Sequence, residues 1–127
     1  MTIAYWSILV AILMPWALTI IAKKPAPGQA RYDNQAPRVF LAKLQGRSQR
    51  ANWAQQNSFE ILPGYTAAVI IAHLAGADQS SLDMLAITFI ASRILFAICY
   101  LRDWSTSRSL AWMLGVACII GMFVISA

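Results

Sequence analysis

The chain is poor in charge, and poorest in acid. Only 12% of its 127 residues are charged and only five are acidic. Soluble domains carry about twice that share. It has two cysteines and one histidine, too few for a disulfide scaffold or a closed metal site. Low-complexity tracts, internal repeats and alternating strand-length segments are all missing, which argues against disorder and against a membrane barrel. What fills the space is hydrophobic: 59% of the residues, with mean hydropathy +0.58. A 14.0 kDa globule in water could not bury so much apolar surface, because small domains have a high surface-to-volume ratio. A soluble enzyme is therefore excluded and an integral membrane protein is expected.

The net charge of +5 raises the question of nucleic acid. The distribution of the charge answers it. Seven of the ten Lys and Arg residues fall between Lys23 and Arg50, in one segment flanked by apolar runs. Membrane proteins mark their cytoplasmic side in this way, and no nucleic-acid-binding motif accompanies the charge.

A helical span needs about 20 mostly apolar residues. Four stretches qualify: residues 3–22, 51–77, 82–101 and 109–127. The first lacks a basic segment before it and is read as a retained helix, with Pro15 as a tolerated kink. The basic loop of residues 23–50 and the short loop with Arg102 and Arg108 should be cytoplasmic. The loop near Asp78–Ser81 has no basic residue, so both termini should lie on the opposite side. Within the first loop, Pro25, Pro27 and Gly28 break helix. The run from Arg38 to Leu44 is amphipathic and could lie at the interface or extend the second span. Cys99 and Cys118 fall inside spans, where cysteine is usually a small hydrophobe. His73 stands alone near a span end and reads as a polar tip at the interface.

Two charges sit inside the spans, Glu60 and Arg93. Such residues cost about 2.5–3.5 kcal/mol on the insertion scale and usually face a bundle interior. Counted from the cytoplasmic ends at 1.5 Å per residue, Glu60 lies about 15 Å in and Arg93 about 13 Å in. The two are expected to pair, directly or through a shared network. Asn57 lies three residues before Glu60, and Arg50 seven before Asn57. Arg93 and Tyr100 repeat the seven-residue spacing, so a polar seam should run along two helices, with Gln55 and Gln56 nearby. One reading of this seam is a set of interhelical hydrogen bonds. The other is a pocket for a small molecule bearing charges of both signs, where Arg50 grips a carboxylate and Glu60 meets an amine.

The stretch from Arg50 through Asn57 and Glu60 to Pro63 resembles the second-helix signature of the MAPEG family, the membrane-associated proteins of eicosanoid and glutathione metabolism. The segment from Arg93 to Tyr100, followed by a short basic loop, is similar to that family's third helix. The resemblance implies an all-α membrane protein: a left-handed bundle of four transmembrane helices in one domain, assembled as a homotrimer. The compact size suits a bacterial inner membrane, and an endoplasmic reticulum membrane would fit too. It implies glutathione as co-substrate between neighbouring subunits, bound by Arg50, Asn57, Glu60, Arg93 and Tyr100. Arg108 lies near the place of an arginine that stabilises the thiolate, since the thiolate is the nucleophile and a guanidinium lowers a thiol pKa. The partners implied are other copies of the chain, membrane lipid and a lipophilic electrophile, with no metal and no nucleic acid. Three positions depart from the family pattern. Trp53 replaces an arginine, Gln55 a histidine and Phe96 a tyrosine. These departures keep a second reading open, a non-catalytic member that holds a lipid or fatty acid. A small transporter is a third class, disfavoured because the polar residues stop halfway across.

Overall fold

A computed structural model describes residues 1–127. The chain is entirely helical: α1 (Ile3–Ala22), α2 (Pro37–Ala42), α3 (Gly46–Leu74), α4 (Gln79–Leu101) and α5 (Ser105–Val124). Long helix α1 packs along α3, and α4 along α5. Contacts of α4 with α1 and α3, and of α3 with α5, close these two pairs into a bundle.

The buried positions explain the packing. On α1 they are Ala4, Ser7, Ala11, Pro15, Leu18 and Ala22, steps of three and four that trace one helix face. On α5 they are Ala111, Gly115, Cys118 and Met122, with the same period. Many are small, which lets helix backbones approach closely where lipid offers no hydrophobic drive between helices. The largest buried side chains, Tyr65 and Phe89, stack with ring centroids 3.7 Å apart and an interplanar angle of 6°. Ser7 shares a short hydrogen bond with the Tyr65 hydroxyl, so the one polar tip in this apolar layer is satisfied.

The opposite faces are equally apolar. Trp6, Leu9, Leu13, Trp16 and Ile20 line the outside of α1 and are all exposed. A helix hydrophobic all round belongs in a membrane. Three helices, α1, α4 and α5, are long and apolar enough to span one. Helix α3 is the longest, at 29 residues, but its first half carries the polar seam.

Several boundaries differ from the sequence reading. The second long helix starts at Gly46 rather than 51, and ends at Leu74 rather than 77. The segment from Arg38 to Leu44 does not extend it. Helix α2 is separate, with Pro37 in its first turn, and Gly46 at φ 62° turns the chain into α3. Phe40 and Leu41 of this segment pack on a small core of Ala22, Leu44 and Ala51, so the basic loop is docked on the bundle. The third long helix starts at Gln79 because Asp78 caps it, accepting from the Ser81 backbone N–H at 2.8 Å. The fourth begins at Ser105 and ends at Val124. Asp103, at φ 61°, turns the chain so tightly that helix resumes four residues before the expected start.

Two stability predictions follow from these contacts. A Cβ on Gly115 would sit 3.1 Å from Ser92 Oγ, and that hydroxyl is held by the Phe89 carbonyl at 2.7 Å. Gly115→Val should therefore lower stability by about 1–3 kcal/mol through overpacking, read as a drop in Tm in detergent. The second concerns Asp78. Hydrogen bonds from the Ser81 backbone N–H, then from its hydroxyl, hold this carboxyl below its usual value of 3.8. A depressed folded-state pKa contributes stability above the unfolded value, and the contribution is lost as pH falls through the folded one. Asp78→Ala should thus lower Tm at neutral pH, and the gap to the wild type should close below about pH 4. A gap that stays constant on acidification contradicts this assignment.

Candidate functional site

Asn57 lies in the first half of α3, the half nearer the basic loop, and points both its polar atoms at charges. Its carbonyl oxygen accepts from Arg93 Nη2 at 2.8 Å, and its amide donates to Glu60 Oε2 at 3.4 Å. Glu60 and Arg93 therefore meet through Asn57 rather than directly. Arg93 is 3% exposed. Its guanidinium also lies 4.1 Å from the Phe96 ring centroid, and its Nη1 has no partner. Glu60, by contrast, is exposed on the single chain.

From Phe96 the contacts continue down α4. Phe96 meets Tyr100 edge-on, with centroids 5.4 Å apart. The Arg108 guanidinium sits 4.5 Å from the Tyr100 ring centroid, held there because α5 starts early enough to include it. The result is an open cavity of about 420 Å³ between α3, α4 and α5, lined by Asn57, Phe96, Tyr100, Arg108, Ser109, Trp112 and Met113. One wall is apolar. The other offers an amide, a phenol, a hydroxyl and a guanidinium.

The sequence-derived residues thus divide. Asn57, Tyr100 and Arg108 line one cavity, while Arg93 and Glu60 are tied to it through Asn57. Arg50 goes elsewhere: its Nη2 donates to the Leu101 carbonyl at 3.2 Å and its Nε is buried without a partner. Of the departures from the family pattern, Phe96 is a wall of the cavity. Trp53 faces Tyr100 from α3, with centroids 6.4 Å apart. Gln55 lies on a different face of α3 and donates to Thr19 Oγ1 of α1 at 2.6 Å. There it helps line a second open hollow of about 470 Å³ with Arg38, Asn52 and Gln56 among its walls.

Sequence reasoning missed Ser109, Trp112 and Met113. With Arg108 they form the pattern i, i+1, i+4, i+5, one face of a helix. The sequence hides that signal, because a basic residue beside the Arg102–Arg108 turn reads as loop until the start of α5 at Ser105 is known. Groups of histidine, cysteine and acid that could hold a metal are absent. The hydrogen-bond partner of His73 is Gln79, whose Oε1 lies 3.1 Å from His73 Nδ1. Gln79 in turn donates to Asp83 at 2.8 Å, and Asp83 accepts from the Ala4 backbone N–H at 2.8 Å. This chain of contacts ties α1, α3 and α4 together at the end remote from the basic loop.

The model of the MAPEG family matches residues 3–127. No curated protein matches the chain, and no solved structure does.

Proposed function

Because the chain belongs to the MAPEG family, and so to a group of membrane proteins of glutathione and eicosanoid metabolism, we propose that it is a glutathione-dependent transferase or peroxidase acting on lipophilic electrophiles. The observation that carries this reading is the cavity itself, in which Arg108 and Tyr100 face an apolar wall of Phe96, Trp112 and Met113. A charged tripeptide and a greasy acceptor need such a two-sided site.

The residues fit glutathione by chemistry. The tripeptide carries two carboxylates and an amine, and the site supplies cations of Arg93 and Arg108, the Asn57 amide and the Glu60 carboxylate. Glutathione supplies a thiol whose thiolate form attacks the electrophile. Arg108 favours that form, because a nearby guanidinium lowers a thiol pKa. Asn57 orients Arg93 and Glu60, and the aromatic wall keeps water from the acceptor. Arg50, bonded to the Leu101 carbonyl, lies outside this cavity and has no part in holding the tripeptide in this reading.

All four long helices cross the membrane in this reading, with the basic loop and the α4–α5 turn on the cytoplasmic side of a bacterial inner membrane. Exposure of Glu60 at membrane depth supports assembly as a homotrimer. A carboxylate facing hydrocarbon is costly, and a neighbouring copy with a shared ligand would cover it. The open hollow of Arg38, Asn52, Gln55 and Gln56 gives a second polar face to such an assembly.

The test is turnover of a dinitrohalobenzene by the purified protein, with glutathione-dependent thermal stabilisation measured alongside. Glutathione-dependent conjugation and a rise in Tm are expected, and the absence of both overturns the reading. Phe96 and Trp53, apolar where the family pattern is polar, favour a second reading, a non-catalytic lipid or fatty-acid holder. Native mass spectrometry distinguishes it: a co-purified lipid retained when glutathione is added supports the holder.

A further inference from the structure

A third hollow, a groove, lies where the start of α3 meets the end of α4. It measures about 500 Å³ and four residues line it, Arg47, Ile98, Leu101 and Arg102. Two arginines thus line a hollow whose walls include no acid. A third stands behind it, since Arg50 is bonded to the carbonyl of Leu101, one of the lining residues. The groove also adjoins the first turn of α3, which no side chain caps. Uncapped N–H groups and the helix dipole favour an anion there.

Ile98 belongs to a longer feature. Ile87, Ala91, Ile94 and Ile98 are all exposed and recur at steps of three and four along α4, ending at Arg102. They form an apolar track about 22 Å long that runs from the membrane interior to the cation pair. Trp104, half exposed, lies beneath the Arg102 guanidinium at 5.3 Å. Tryptophan at this level marks the membrane–water interface.

We propose that this groove binds the phosphate headgroup of an anionic phospholipid, with one acyl chain along the α4 track. Charge complementarity selects the head, and the track continues where the tail must go. Basic hollows at helix ends on the side of the basic loop suit such headgroups. The site is separate from the α3–α5 cavity and does not depend on glutathione.

The experiment is lipid exchange into purified protein, read by native mass spectrometry. The probes are phosphatidylglycerol and phosphatidylcholine of equal chain length. The wild type should retain phosphatidylglycerol over phosphatidylcholine by roughly tenfold. Arg47→Gln with Arg102→Gln should erase that preference. Arg31→Gln, which removes a loop cation outside the groove, should keep it. Equal retention of the two lipids by the wild type overturns the proposal, and that measurement needs no variant to fold. Equal loss in Arg31→Gln overturns it too, since the effect is then net charge alone. Inorganic phosphate that displaces the lipid at millimolar concentration removes the role of the track. Efficient cross-linking of Ile98→Cys between copies of the chain makes the groove a protein interface instead.

Discussion

Arg108→Ala should lower kcat/KM for glutathione conjugation by about 100-fold or more, the loss seen when one preorganised donor to a developing anion is removed. The reason is positional. Arg108 lies in the fourth residue of α5, its guanidinium 4.5 Å from the Tyr100 ring, on the wall of the cavity that holds Asn57. In the proposed mechanism its removal takes away the cation that favours a thiolate, so the pH profile of turnover should move to higher pH. Arg108→Lys should restore part of the rate, because it returns the charge without the planar fork. The fold is not at risk. The cation–π contact with Tyr100 at a partly exposed site is worth about 0.5–1 kcal/mol, too little to unfold a four-helix bundle. A 100-fold loss with Tm nearly unchanged is therefore a statement about chemistry. Unchanged turnover in Arg108→Ala removes that residue from the mechanism.

Asn57→Leu should have the largest effect on stability of any single polar substitution, about 3 kcal/mol. An interhelical hydrogen bond in a membrane averages about 0.6 kcal/mol, so the bond itself is a minor part. The larger part is Arg93. This guanidinium is buried, already has an unpartnered Nη1, and relies on Asn57 Oδ1 at 2.8 Å for Nη2. Without Asn57 the cation keeps only the Phe96 face, and Glu60 loses its link to it. The control is Arg93→Met combined with Asn57→Leu. With the charge gone, most of the lost stability should return, since a buried ion can be replaced by a hydrophobe of similar volume at little cost. If the double variant is less stable than Asn57→Leu, the penalty was packing and not the stranded charge.

The fold was legible where the signal was apolar and long. The uncharged run of α1 was placed at residues 3–22, as observed. Helix starts were less legible. They depend on caps and turns such as Asp78 before α4 and the φ 61° of Asp103 before α5, and a hydropathy window averages over such single residues. The depth arithmetic placed Glu60 and Arg93 at one level but did not reveal Asn57 as the link between them. Depth is a one-dimensional quantity, and the rotation of the two helices decides which atoms meet. Arg50 was the hardest to foresee. Its partner is the Leu101 carbonyl, and backbone acceptors leave no mark in a residue pattern. Trp112 and Met113 were hidden for a different cause: apolar residues in a span look the same whether they face lipid or a cavity.

The central claim is that the cavity of Asn57, Tyr100 and Arg108 holds glutathione. The most direct measurement is a density map of the purified protein soaked with glutathione. Tripeptide density between α3, α4 and α5, with the sulfur beside Arg108 and a carboxylate or amine on the Asn57-linked charges, is the predicted result. A cavity filled by lipid in the presence of saturating glutathione, or tripeptide density elsewhere on the bundle, contradicts it.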